Sequence, residues 1–146
     1  MMEGRTNTYK NDLGIWGFVY GGKYTIERYL YTLHRITGLG ILLYFILHIF
    51  VTYLRVYGAE TWESTMAVVE NPIFKLGEYL VFIAFVFHAL NGLRLFFNEL
   101  GIGLGEPEPP IFPFSNSIEK HRYVVWIVGI VVVLLAIISF YDFFIY

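Results

Sequence analysis

Two histidines stand inside long apolar stretches of this chain, where an imidazole is costly unless something binds it. His48 lies within the uncharged segment 36–54, and His88 lies within a second apolar segment, 79–93. A buried polar group needs a partner, so an imidazole at such a position indicates a ligand or a hydrogen bond. Neutral imidazole is a common axial ligand of haem iron. The two positions therefore make His48 and His88 candidate metal ligands, with a hydrogen bond to a neighbouring helix as the alternative for each.

A glycine accompanies the second of these histidines. His88 and Gly92 are four residues apart and lie about 40° apart on one helix face, while Asn91 lies about 60° to the other side. A glycine one turn from a ligand would let the edge of a porphyrin approach the backbone. The alternative is a buried histidine that hydrogen-bonds a neighbouring helix, with Gly92 serving close helix packing. The spacing alone leaves both interpretations open.

His34 precedes His48 by fourteen residues, which places the two on nearly the same helix face and about 21 Å apart. Its neighbour Arg35 has a planar donor fork that suits a haem propionate or a quinone headgroup. Alternatively, Arg35 is a basic flank at the membrane surface. If His34 and Glu99 mark the same membrane edge, His48 and His88 differ in depth by about 5 Å, which is little for two stacked macrocycles.

Composition identifies the elements that must position these side chains. The chain is 57% hydrophobic and 15% charged, with a mean hydropathy of +0.59. A membrane-spanning helix needs roughly 20 apolar residues, and three segments meet that need. We therefore expect an all-α membrane protein with one transmembrane domain over 1–146, whose helices cover about 31–56, 74–99 and 121–145.

The remaining segments are predicted to lie outside the bilayer core. Residues 1–30 interleave aromatic residues with glycine, which is typical of an interfacial segment, as at Trp16, Phe18, Tyr20 and Tyr24. Residues 58–72 form a short connection with one helical turn around 62–69. Residues 101–117 contain three glycines and four of the five prolines, which predicts a loop.

Charge orients the chain and excludes some functions. Basic residues concentrate before the first helix and around the second connection, which places both on the cytoplasmic side of a cell inner (plasma) membrane and the C-terminus outside. A net charge of -2 with no basic run argues against nucleic-acid binding. The absence of cysteine excludes an iron–sulfur cluster held by this chain alone.

Two motifs together resemble one family. His34-Arg35-Ile36-Thr37-Gly38, with His88-x3-Gly92-x-Arg94 followed by Glu99-Leu100-Gly101, closely resembles the cytochrome b membrane-anchor subunits of succinate dehydrogenase (complex II). The resemblance covers about 31–101 in motif and all three helices in topology. It implies that His88 is an axial haem b ligand. It also implies that His34 and Arg35 serve the haem propionates and a nearby quinone pocket, with Gly92 and Arg94 completing the cofactor site.

The chain departs from the family pattern at three positions. Many members have a serine three residues before the first histidine, as a quinone contact, where this chain has Tyr31 with Thr32 beside it. Many have a histidine where this chain has Leu95. One-haem members commonly lack a match for His48, whereas two-haem anchors take one ligand from the first helix and one from the second. By that resemblance His48 and His88 would serve two haems.

The resemblance implies a non-catalytic subunit of an enzyme complex. We expect two haem b groups shared with a second small membrane subunit, a flavoprotein and an iron–sulfur subunit on the cytoplasmic side, membrane lipid around the bundle, and a quinone as electron acceptor. A haem-free structural anchor and a fumarate reductase anchor working in reverse remain alternatives. A proton-relay transporter is a further alternative, which is disfavoured because the intramembrane carboxylates lie near helix ends.

Overall fold

The chain is built from helices throughout the part that the computed structural model describes, residues 26–106, 109, 111, 119 and 121–146. Its elements are α1 (Ile26–Tyr53), a short 3-10 turn (Leu54–Tyr57), α2 (Ala59–Val69), α3 (Pro72–Glu99) and α4 (Arg122–Phe144). Three helices are long and apolar enough to cross a membrane, namely α1 with its 3-10 extension, α3 and α4. The predicted all-α fold with three spans is confirmed.

Local sequence sets both ends of α3. Asn71 caps its start, since the side-chain oxygen accepts a hydrogen bond from the Ile73 amide at 3.0 Å, and Pro72 occupies the first helical turn. At the other end, Gly101 adopts a positive φ of 69°. The Ile102 amide then donates to the Phe97 carbonyl, which closes the helix in a Schellman turn. These caps fix where the residues of α3 lie along the bundle.

The central helix is α3, which packs against α1 on one side and α4 on the other. The N-terminal end of the bundle, where α1 and α4 begin and α3 ends, is tied by an ion pair with 2.7 Å between Arg122 Nε and a Glu27 carboxylate oxygen. At the opposite end, the Tyr79 hydroxyl donates to the Ala136 carbonyl at 3.0 Å. Phe140 and Phe144 pack around the Tyr79 ring. Polar contacts thus connect the helices at both ends.

The interior of this bundle is polar and its surface is apolar. Of the six side chains that are buried in the described part of the chain, four are polar or charged: Thr32, Asn91, Arg94 and Ser139. Large aliphatic and aromatic side chains cover the outside of the helices. In lipid the outer surface can be apolar while polar groups find partners between helices. This arrangement fits a membrane bundle and leaves its apolar faces for lipid or for further helices.

The helix bounds differ in part from the expected ones. The first helix begins at Ile26, five residues before the expected start, so its first turn belongs to the bundle. The connecting helix α2 has about three turns instead of the single turn expected around 62–69. Residues 1–25, with the interfacial aromatics expected there, lie outside the described residues, as does much of 107–120. Gly101, Gly103 and Gly105 all have positive φ, as befits the loop expected after α3.

Candidate functional site

The imidazole rings of His34 and His88 stack between α1 and α3. Their centroids are 3.9 Å apart and their planes differ by 5°. Because α1 and α3 run in opposite directions, a residue near the start of α1 meets one near the end of α3. The sequence placed these two histidines in one cofactor site, and the helix pairing puts them in direct contact.

The inner nitrogen of His88 faces the backbone of α1. His88 Nδ1 is 3.1 Å from the His34 carbonyl oxygen and 3.4 Å from the Thr37 hydroxyl. A carbonyl oxygen only accepts, so Nδ1 carries the proton and donates. The other ring nitrogen, Nε2, then holds the lone pair, and among the described residues no hydrogen bond engages it. Metal-binding histidines commonly have this arrangement, in which a backbone carbonyl fixes the tautomer.

Two glycines make room for the two rings. A Cβ added at Gly38 would lie 2.8 Å from Cε1 of His88, and one added at Gly92 would lie 3.3 Å from Cε1 of His34. Each histidine therefore lies over the glycine of the opposite helix. The spacing His-x3-Gly occurs in both helices, and in an antiparallel pair it gives a reciprocal contact. Gly38 was missed as a site residue, although the repeated spacing was visible in the sequence.

Buried polar groups lie next to the stacked rings. Asn91 is 1% exposed, and its side-chain oxygen accepts a hydrogen bond from Arg94 Nε at 3.1 Å. Nδ2 of Asn91 and Nδ1 of His34 are buried without a hydrogen-bond partner in the described part of the chain. No functional role was expected for Asn91. The feature of the sequence that could have indicated one is a carboxamide three residues before an arginine in the same membrane helix.

The residues expected at the quinone pocket fall on two faces of α1. The Arg35 guanidinium lies over the Tyr31 ring, with 5.4 Å between its carbon and the ring centroid, and Tyr31 is 54% exposed. Thr32 is buried, and its hydroxyl donates to the Arg28 carbonyl at 3.0 Å. The structure therefore brings Tyr31 and Arg35 together, while Thr32 lies about 100° around the helix from Tyr31 and about 60° from Arg35.

His48 lies apart from the stacked pair, in a cavity of about 420 Å³ between α1 and α3. The cavity lining is mainly apolar, and its polar members include His48, Tyr44 and Glu78. Cβ atoms added at Gly40 and Gly77, which both line the cavity, would meet nothing within 4 Å. His48 was expected to have no charged side chain nearby; Glu78 on α3 lines the same cavity, and no ion pair joins it to His48 among the described residues.

The depth expected for His48 also needs correction. The His88 ring lies against Gly38, which precedes His48 on α1 by ten residues. At 1.5 Å per residue this separates the levels of the two histidines by about 15 Å, where sequence counting gave about 5 Å. The error arose because Glu99 was taken as level with His34, whereas Gly92 is the residue that faces His34. The small difference in depth between His48 and His88, which argued against two stacked macrocycles, is therefore not found.

The donor set suits an iron porphyrin better than a bare metal ion. Among the described residues, no three histidine or acidic side chains lie close enough together to hold a metal ion. A haem iron needs from this chain only one imidazole nitrogen, because the porphyrin supplies the four equatorial ligands. Three features fit that need: Nε2 of His88 carries the lone pair, Gly92 lies one turn away, and Arg94 has a planar set of N–H donors.

Comparison with known proteins agrees with this architecture. Residues 6–137 match the family described as succinate dehydrogenase/fumarate reductase transmembrane subunit. A succinate dehydrogenase 2 membrane subunit SdhC of Mycobacterium tuberculosis is 26% identical over 129 residues, which cover 88% of this chain and 76% of the relative. A succinate dehydrogenase hydrophobic membrane anchor subunit of Halobacterium salinarum is 33% identical over 94 residues, covering 64% of this chain and 68% of the relative.

The family match covers α1, α3, most of α4 and both His-x3-Gly motifs. The relatives are named as a membrane subunit and a hydrophobic membrane anchor subunit, and an anchor of this enzyme implies a flavoprotein and an iron–sulfur subunit beside it. The resemblance inferred from the motifs is thereby confirmed. The chain belongs to the succinate dehydrogenase/fumarate reductase transmembrane subunit family and is a membrane-embedded anchor of that kind of complex.

Proposed function

We propose that this anchor binds haem b through Nε2 of His88 and helps to bind the quinone that accepts electrons from succinate. The observation that supports haem binding best is the contact of His88 Nδ1 with the His34 carbonyl oxygen at 3.1 Å. That contact orients the ring and leaves Nε2 as the basic nitrogen. A histidine that served helix packing alone would not need its second nitrogen free of a partner.

The neighbouring residues hold the ligand in place. The His34 ring lies flat on His88 and limits its rotation, while Gly38 and Gly92 let both rings lie close to the opposite backbone. Arg94 offers a positive charge and N–H donors that suit a propionate carboxylate. When bound, the haem supplies a one-electron store between the iron–sulfur subunit and the quinone.

The quinone contact in this proposal is made by Arg35 and Tyr31. The guanidinium offers N–H donors to a quinone carbonyl, and the phenol hydroxyl is a second donor. Both lie near the start of α1, at the N-terminal end of the bundle. Thr32 is a weaker candidate because its hydroxyl is directed to a backbone carbonyl within α1.

The proposal includes a second small membrane subunit. The outward faces of α1, α3 and α4 are apolar, so further helices can pack on them as lipid does. A second axial ligand would come from that subunit, because His34 is stacked on His88 and does not face its Nε2. The basic residues near the N-terminal end of the bundle favour the cytoplasmic side of the plasma membrane for that end.

A second haem is proposed near His48. Its support is the cavity of about 420 Å³ that His48 lines and the separation of about 15 Å from the level of His88. Such a macrocycle would be shared with the second membrane subunit. The haem-free alternative would instead have His48 hydrogen-bonded to a neighbouring group.

Replacement of His88 tests the main proposal. In the whole complex, His88→Ala should remove or convert one b-type signal in the reduced-minus-oxidised spectrum. His121→Ala, at the start of α4, is the matched control and should leave the spectrum unchanged. An assembled His88→Ala complex with normal haem content would favour the haem-free anchor. The ratio of succinate oxidation to fumarate reduction in the wild-type complex then separates a succinate dehydrogenase from a fumarate reductase.

A further inference from the structure

Asn91 is the most deeply buried large side chain in the described part of the protein, with 1% of its surface exposed. A carboxamide has an acceptor oxygen and two N–H donors to satisfy. Here the oxygen accepts from Arg94 Nε, whereas Nδ2 is buried without a partner in the described residues. An unpaired buried donor destabilises the folded protein, and a leucine of similar size would avoid that cost. The amide therefore calls for a functional explanation.

The hydrogen bond to Asn91 fixes the direction of the Arg94 side chain. A guanidinium carries its five N–H groups in one rigid plane, so holding Nε also orients the four terminal N–H groups. Arg94 is itself buried, with 9% exposure. The pair thus presents N–H donors and one positive charge from the same turn of α3, a combination suited to an anionic acceptor.

We infer that Asn91 is a positioning residue that holds Arg94 and, with its own N–H, completes a binding site for one carboxylate. A guanidinium binds a carboxylate through two parallel hydrogen bonds, and the amide N–H supplies a further donor. The carboxylate comes either from a haem propionate or from an acidic side chain of a partner subunit. The first source rests on the proposed function, and the second does not.

The test uses the intact complex with four variants of this chain. Asn91→Leu removes both amide contacts at similar volume. Asn91→Asp keeps an acceptor for Arg94 Nε, but it removes the N–H donors and adds a negative charge that repels a carboxylate. Because this variant keeps a polar side chain in the interior, it serves as the second variant if the complex with Asn91→Leu fails to assemble. Arg94→Gln removes the cation, and Asn98→Leu makes the same chemical change as Asn91→Leu at a control position on α3.

If the carboxylate is a haem propionate, we expect a lower haem midpoint potential in Asn91→Leu, Asn91→Asp and Arg94→Gln. The reason is that a fixed positive charge near the haem favours its reduced form. The shift in the double variant Asn91→Leu with Arg94→Gln should be clearly smaller than the sum of the single shifts, since Asn91 acts through Arg94. If the carboxylate belongs to a partner subunit, we expect an unchanged haem potential and easier release of that subunit in detergent. The effects of the two single variants on subunit release should then also be less than additive in the double variant.

The inference is overturned if both Asn91 variants match Asn98→Leu in potential and in subunit release, or if the effects of Asn91 and Arg94 add fully. Haem content of the wild-type complex is measured first. A wild-type complex without haem would contradict the proposed function, and subunit release would then decide the carboxylate site by itself.

Discussion

His34 and His88 face each other across α1 and α3, with their ring planes 5° from parallel and their centroids 3.9 Å apart. Each ring covers the glycine of the opposite helix, and His88 also donates a hydrogen bond to the backbone of His34. The two histidines are therefore coupled, because a change that moves one ring must move the other. Histidine orientation at this site depends on close helix contact as much as on the histidines themselves.

A methyl group at Gly38 should disturb the site without removing any histidine. Its Cβ would lie 2.8 Å from Cε1 of His88, so the ring or the helix must move. We expect Gly38→Ala to lower haem content or to alter the low-spin spectrum of the complex. Gly129→Ala on α4 is the control, because a Cβ there meets nothing within 4 Å and the residue lines neither site. Equal spectra for the two variants would contradict the close contact.

Loss of Arg35 should impair quinone reduction selectively. Arg35→Ala removes the cation over Tyr31, so succinate:quinone activity should fall at least tenfold, which corresponds to about 1.4 kcal/mol of lost transition-state stabilisation. Succinate oxidation by a soluble dye should persist, since the dye takes electrons upstream. Arg55→Ala, which removes a guanidinium stacked on Trp62 at the other end of α1, is the control. If both activities fall together, the defect is one of assembly.

Haem quantification tests the role of His48. We expect two haems per flavin in the wild-type complex and one in His48→Leu, because the two histidines are about 15 Å apart in level and serve separate sites. His121→Leu makes the same chemical change at the start of α4, away from this cavity, and serves as the control. One haem per flavin in the wild-type complex would leave His48 as a structural residue.

The hydroxyl of Tyr79 should contribute to stability and not to electron transfer. Tyr79→Phe removes a hydrogen bond to the Ala136 carbonyl while keeping the ring among its phenylalanine neighbours. A hydrogen bond of this kind contributes about 0.5–1.5 kcal/mol, so the complex should inactivate at a lower temperature by a few degrees. Tyr57→Phe, at an exposed position, should have no such effect. Unchanged thermal inactivation of Tyr79→Phe would refute this contribution.

Much of the fold followed from the sequence because each span is marked by its own local composition. A run of about 20 apolar residues must form a helix in lipid, where every backbone polar group has to be paired within the segment. Asn71, Pro72 and Gly101 likewise mark the ends of α3 through contacts with their own neighbours. These features need no knowledge of how the helices pack.

Side-chain partners across the bundle depended on the tertiary structure. His34 and His88 are far apart in the chain, and only the register of α1 against α3 decides that each lies over the other's glycine. The same register moved the estimated depth of His48 by about 10 Å relative to His88 and placed Glu78 in the lining of the same cavity. The sequence by itself determined which residues could bind a cofactor and which segments cross the membrane. Their mutual distances were decided by helix register, because the apolar residues that drive insertion into lipid carry little information about which helix faces meet.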